Sequence, residues 1–308
     1  KHDVSLAELP HAWDNENEDL EKFCEYCLND SVLTYNLAVK MLPTITEMVK
    51  IVGIPIYDVN RMGFSQLVEW YIMKQAPQFN EIAPNKPDNN EVQQRRLSTY
   101  QGAFVYEPKP GFYKDIAVFD FRSLYPTILS SHNIGTDTIN CACCENTAKV
   151  TPGDESEKNW FCAKRKGFIP TLIEDLISRR IRIKEIIKEE HDEKFAFLDA
   201  RQNSLKLLAN SFYGYLGFFG ARWYSIGCAR SITAWGRFYI HKVIDKAKKE
   251  GFFVLYSDTD SVFLTLDGKS EDEARAFAES INSELPGLME LEYEGFYPSG
   301  IFVSAKLG

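Results

Sequence analysis

FFVLYSDTDSVFLTL, residues 252–266, holds two apolar runs, Phe252–Tyr256 and Ser261–Leu266, joined by Ser257-Asp258-Thr259-Asp260. Aromatic and β-branched residues on both sides of a polar turn predict a β-hairpin. Side chains alternate faces along a strand, so Asp258 and Asp260 are expected to project the same way at its tip. Two like charges at one tip are unfavourable unless a cation neutralises them, and an oxygen-rich site of this kind suits magnesium. On the motif alone a second reading stays open, because Asp-x-Asp is also ordinary turn chemistry.

Working outward, Ile116-Ala117-Val118-Phe119 predicts a short strand ending at Asp120, within VFDFRSLYPTIL, with a turn forced by Pro126. An Asp at a strand end most often starts a turn or caps a helix. Beside the hairpin pair it would instead complete a two-metal site for phosphoryl transfer, and the residues after it would offer backbone N–H groups to phosphate oxygens. Helical patterns cover 19–41, 171–193 (opened by Pro170), 197–214 and 229–250. The last places Ile232, Trp235, Tyr239, Val243 and Ala247 on one face and stops at Gly251. Residues 76–110, rich in Pro and Asn, read as a connector, and 133–168 as loop. Arg180 and Lys184 lie one turn apart, as do Lys206 and Asn210, with Tyr213 and Gly214 on the next turn. Two antiparallel helices would aim Arg180, Lys184 and Lys206 into one cleft that suits a triphosphate, with Gly214 admitting a planar base. The plainer reading, snorkelling surface cations, is favoured for Arg179, Arg182 and Lys188. Helices and strands do not alternate regularly, so the fold class is α+β.

Composition sets the outer limits. The chain has 308 residues, is 44% hydrophobic and carries a net charge of -9, which excludes a disordered or fibrous chain and allows two domains or one elaborate one. No run approaches the ~20 apolar residues of a membrane span, so no membrane partner is expected. The opening KHDVSLAELP reads as mid-domain sequence. An acidic total argues against nucleic acid only as a single number: residues 1–30 carry -7, residues 267–308 carry -6, and the middle carries +4. Among seven cysteines, Cys141, Cys143, Cys144 and Cys162 cluster. Cys-x-Cys-Cys lacks the two-residue gap of common zinc knuckles, so one disulfide or free thiols are expected ahead of zinc.

Three segments taken together resemble the family B (α-like) DNA polymerases, in particular the archaeal replicative type: DFRSLYPTI at 120–128, KLLANSFYG at 206–214 and YSDTDS at 256–261. The resemblance extends over essentially the whole chain. It implies a polymerase palm, an antiparallel sheet with packed helices, with an inserted two-helix fingers domain. The helical tail of an RNase H-like 3′–5′ exonuclease domain would precede them. The implied boundaries are 1–42 for the exonuclease tail, 43–84 for a connector returning from the N-terminal domain, 85–169 and 219–308 for palm, and 170–218 for fingers, with the thumb absent. The implied activity is DNA-directed DNA synthesis by two-metal nucleotidyl transfer. A piece of a split or truncated polymerase, binding DNA or dNTP but inactive alone, is the alternative.

The same resemblance implies roles for individual residues. Asp120 and Asp260 would be the main ligands of two Mg2+ ions, for which Mn2+ can substitute, with Asp258 in support and the Phe121 carbonyl completing one shell. Backbone amides of Ser123, Leu124 and Tyr125 would hold triphosphate oxygens, and Tyr125 would act as the steric gate against a ribose 2′-OH. Arg180, Lys184 and Lys206 would hold the incoming dNTP with Asn210 nearby, while Tyr213 and Gly214 would line the nascent base-pair pocket. Glu292 and Glu294 match an accessory acidic pair, and Tyr26 and Asp30 match the last exonuclease motif. Tyr100-Gln101-Gly102-Ala103 stands where the family usually has Tyr-x-Gly-Gly. Cys144 and Cys162 align with a pair that is disulfide-bonded in some thermophilic relatives; a second pair is excluded because Ser225 stands opposite Cys228. Implied partners are primer–template DNA, dNTPs, the remaining polymerase segments and a sliding clamp, in the cytoplasm with the nucleoid if the source is archaeal.

Overall fold

A computed structural model describes residues 5–15, 19–153, 158–189 and 194–303. Its centre is a five-stranded antiparallel sheet: β1 (Val105–Tyr106), β2 (Gly111–Phe121), β3 (Phe253–Asp258), β4 (Ser261–Thr265) and β5 (Leu291–Phe302), in the order β1-β3-β4-β2-β5. The hairpin read from sequence is β3–β4, with Asp258 opposite Ser261. The β2 strand is longer than the four apolar residues that announced it, because β4 and β5 both pair with it. One sheet face is sealed: Phe119 meets Phe277 edge-to-face with centroids 5.5 Å apart, and Ala117 and Phe121 join the same core. The other face carries a smaller cluster around Ile116, Val118 and Leu255.

Among the described residues the chain has ten α-helices, the last two of which pack on the sheet. They are α1 (Leu9–Asn15), α2 (Asp19–Val52), α3 (Ile56–Arg61), α4 (Phe64–Gln75), α5 (Asn89–Arg96), α6 (Leu124–Ser131), α7 (Phe168–Glu189), α8 (Lys194–Gly217), α9 (Ile226–Lys249) and α10 (Glu271–Asn282). All five residues expected on the inner face of α9 are buried. At its end Gly251, at φ +83°, lets Phe252 N–H reach the Ala247 carbonyl (2.9 Å) and its own N–H reach that of Lys248 (3.2 Å). At its start the Ser225 hydroxyl accepts the Cys228 amide at 3.2 Å, an N-cap that a cysteine would fill poorly.

Several expectations are extended. The first long helix does not stop near residue 41. It continues through Pro43 to Val52, because its second half buries Met48 and Val52 against the core, which outweighs the hydrogen bond that Pro43 forgoes. The expected boundary after residue 42 therefore falls inside one helix. The connector contains α5, capped by Asp88, whose carboxylate accepts the Glu91 amide at 2.8 Å. The helix expected over 171–193 begins at Phe168, and residues 190–193 lie outside the described residues, as does the end of GIFVSAKLG from 304 onward. Among the described residues, no helix is long and apolar enough to cross a membrane.

Candidate active site

Strand register, not proximity in sequence, assembles the acidic residues. Asp120 lies one residue before the end of β2, opposite Ser261 on one side and Glu292 on the other. Phe121 N–H donates to the Asp260 carbonyl at 2.9 Å, so the hairpin tip is fastened to the strand that carries Asp120. The tip differs from the alternation expected along a strand. The strand ends at Asp258, Thr259 takes a left-handed φ of 57°, and Asp260 N–H turns back onto the Asp258 carbonyl at 2.7 Å. The Asp258 carboxylate accepts from Thr259 Oγ1 (2.8 Å) and from the Tyr256 hydroxyl (3.2 Å). Asp120 feels the charge of Asp260, and Asp260 feels that of Asp258.

Electrostatics record this crowding. Burial, followed by the charges of Asp260, Glu294 and Glu292, pushes Asp120 up to about 7. Asp260 is likewise raised, by burial and then by Asp258 and Glu294. Lys206 on α8 opposes both shifts and so faces both carboxylates. Glu294 is the extra residue of a β-bulge, since Phe119 pairs with Tyr293 and Val118 with Gly295. Glu292 is already engaged: the Arg122 guanidinium bonds it through Nε at 2.8 Å and through Nη2, and Nη1 reaches Glu290 at 2.5 Å.

Opposite this acidic floor stands the α7–α8 hairpin. The α8 helix is anchored to α2 by Ser204 Oγ donating to the Thr44 carbonyl at 3.0 Å, and to α4 by the Tyr215 hydroxyl donating to Glu69 at 3.1 Å. Arg180 donates to Ser123 Oγ and to Gln202 Oε1, each at 3.3 Å, bridging the hairpin to the β2–α6 turn. Burial lowers Arg180 and Lys184, and both feel Glu292. Arg179, by contrast, pairs with Asp175 one turn away on the exposed face, as its plainer reading required. Lys206, Asn210 and Gly214 are exposed along α8, and a Cβ added at Gly214 would meet nothing within 4 Å.

Ser123 joins β2 to α6 in a left-handed conformation, φ 52° and ψ 57°, strain that keeps the helix start turned toward Arg180. Its carbonyl accepts the Thr127 amide, whereas the first amides of α6 have no intrahelical acceptor. The Leu124 side chain is buried, so only its backbone is available there. The Tyr125 ring packs at 4.5 Å on Tyr213, and a Cβ at Gly236 would come within 3.1 Å of it.

Arg122 and Arg237 join the site without having been singled out as candidates. Arg122 stands inside the 120–128 motif, but its partners are Glu290, just before β5, and Glu292 in β5, which only the register reveals. Tyr100 shares a 3.0 Å hydrogen bond with Tyr213, while Arg237 Nη1 donates to the Gln101 and Gly102 carbonyls, docking that loop on α9. Tyr26 and Asp30 lie one turn apart on α2, where the Asp30 charge raises the Tyr26 hydroxyl, in a surface groove with Trp13, Phe23 and Tyr35. Cys144 and Cys162 bring their Sγ atoms to 3.9 Å, beyond the ~2.0 Å of a disulfide.

Comparison with known proteins places the chain as a whole. Residues 54–306 fit the model of DNA polymerase family B. DNA polymerase 1 of Pyrococcus abyssi is 43% identical over 99% of this chain, and the DNA polymerase of Thermococcus gorgonarius is likewise 43% identical over 99%. The solved family B DNA polymerase of Pyrobaculum calidifontis superposes with a TM-score of 0.76 at 31% identity, covering 99% of this chain. The chain spans 40% of each of the first two proteins and 39% of the third. A family match over more than three quarters of its residues and relatives 43% identical along nearly all of it show that the chain belongs to DNA polymerase family B.

Proposed function

We propose that this chain supplies the catalytic centre of a template-directed DNA polymerase, adding dNTPs to a primer 3′-OH. Palm would be 85–169 and 219–308, fingers 170–218, and residues 1–42 the tail of an exonuclease domain joined through 43–84. One observation carries the reading: Asp120 and Asp260 meet at a half-buried sheet end that Lys206 faces, with Arg180 bridging the overlying hairpin to Ser123. The donor set is hard oxygen, and its mutual repulsion is relieved by a divalent cation, so Asp120 and Asp260 fit Mg2+ or Mn2+, supported by Asp258 and the Phe121 carbonyl. Such ions, when bound, supply activation of the 3′-OH and stabilisation of departing pyrophosphate.

The protein's own groups do the rest. Arg180, Lys184 and Lys206 neutralise triphosphate charge, and the amides of Ser123, Leu124 and Tyr125 receive its oxygens. Their lowered pKa values mean that Arg180 and Lys184 gain when an anion arrives. Tyr125, held between Tyr213 and Gly236, bars a 2′-OH, and the open surface at Gly214 receives the nascent base pair. Glu292 is held by Arg122, which suits a supporting role. The test is primer extension by the gene product that carries this chain. Asp260→Asn should lower extension by on the order of 10³-fold or more, with primer–template affinity little changed. Extension at the parental rate would overturn the assignment.

A further inference from the structure

We propose that Cys141, Cys143, Cys144 and Cys162 form a structural zinc site that pins the segment between α6 and α7. Their four sulfur atoms all lie within 4.8 Å of one another. Three separations are 3.6 Å (Cys143–Cys144), 3.6 Å (Cys143–Cys162) and 3.9 Å (Cys144–Cys162). A tetrahedron with Zn–S bonds of about 2.3 Å has sulfur–sulfur edges of about 3.8 Å. A disulfide would need only two of these sulfurs and does not account for four converging.

The backbone shows how the convergence arises, and it reverses the objection drawn from spacing. Cys141 and Cys144 do have the two-residue knuckle gap, hidden because Cys143 occupies one of the intervening positions. Cys144 N–H donates to the Cys141 carbonyl at 3.3 Å, and Ala148 N–H to the Cys144 carbonyl at 2.8 Å, so tight turns gather three sulfurs. Cys162 arrives from the returning chain, where its N–H donates to the Thr138 carbonyl at 3.0 Å and Asn133 Nδ2 donates to its own carbonyl at 2.7 Å. Ala163 N–H points at Cys144 Sγ, 3.4 Å away, the amide-to-sulfur contact that supports metal-bound thiolates. Trp160 Nε1 donates to the Cys141 carbonyl at 2.9 Å, closing the lid over that turn.

The segment needs such a fastening. Among its described residues the connection from α6 to α7 has no helix or strand, only the bridges Ile139–Phe161 and Val150–Trp160. Connections of this length without elements of their own are uncommon unless something else orders them. Binding transfers four thiol protons to solvent, leaves zinc at +2 and gives the centre a net charge of -2. With four protein ligands the site is closed, so its role is structural.

The experiment uses the full chain purified with zinc present, followed by metal analysis, native mass spectrometry and cobalt substitution. The expected result is one zinc per chain, with thiolate-to-cobalt charge-transfer and tetrahedral ligand-field bands after exchange. Cys143→Ser, at an exposed position, should weaken zinc retention at least ~10-fold, whereas Cys24→Ser/Cys27→Ser should leave it unchanged. Because Cys144 or Cys162 variants can fail to fold, the cobalt spectrum of the unmutated chain is the deciding readout. Absence of those bands, or a Cys144–Cys162 disulfide in zinc-purified protein, would overturn the proposal.

Discussion

The two walls of the cleft are built from opposite charge by opposite means. The acidic wall is a product of register: β2 and β4 set Asp120 beside the turn of Asp260, and a bulge in β5 adds Glu294. Its groups cannot move apart without breaking the sheet. The cationic wall rides on two long helices, and its hydrogen bond to the opposite side is that of Arg180 to Ser123. Both walls are electrostatically unfavourable in isolation, since burial and like charges raise Asp120 and Asp260 while burial lowers Arg180 and Lys184. The acidic wall is thus set by strand register, and the cationic wall by the packing of α7 and α8 and by the anchors of α8 on α2 and α4.

The sharpest way to break this contrast is to remove the bridge. Arg180→Ala should reduce the efficiency of dNTP incorporation by about 10²-fold, chiefly through a higher KM for dNTP, because a charge-assisted contact to triphosphate is lost. Steady-state kinetics on the gene product checks this. An unchanged KM would place Arg180 in holding Ser123 alone. A smaller effect is expected where the walls meet the sugar. Tyr125→Ala should raise ribonucleotide incorporation by about 10-fold or more, since a pocket stripped of one ring no longer excludes a hydroxyl. Gly236→Ala should also disturb discrimination, because its Cβ would press on the Tyr125 ring at 3.1 Å. Equal ribonucleotide use by all three proteins would remove Tyr125 from the gate.

What the sequence made legible follows the same division. The β3–β4 hairpin, the inner face of α9 and its Gly251 stop are local patterns, and they appear with boundaries moved by a few residues. The cations of α7 and α8 were legible as helical spacing. Contacts created by long-range register were not: Arg122 meets Glu292 only because β5 lies against β2. The β5 strand itself was hidden by Gly295, Pro298 and Gly300, residues that weaken a strand pattern but are tolerated at a sheet edge. Helix α10 was also passed over, although its capping box, Ser270 with Glu273, is a local signal. In the cysteine cluster, the interposed Cys143 concealed a familiar gap.

The smallest predicted effect tests whether the acidic wall is held against its own repulsion. Folded Asp120 titrates near 7, against about 3.9 for an unfolded chain. Between those values the folded chain keeps a proton that the unfolded chain has lost, so stability falls as pH rises from about 4 to about 7 and is level above. Asp120→Asn removes this dependence. A shift of this size would correspond to roughly 4 kcal/mol for a fully buried group, but Asp120 is only half-buried and solvent screens it, so a gain of about 1 kcal/mol is expected at pH 8 in metal-free buffer. At pH 4 the gain should vanish, because the carboxyl is then protonated when folded. Denaturant unfolding at both pH values checks it, with equal m-values required for the comparison. A variant less stable than the parent at pH 8 would mean that Asp120 is held by favourable contacts, and the two walls would then differ in kind rather than only in sign.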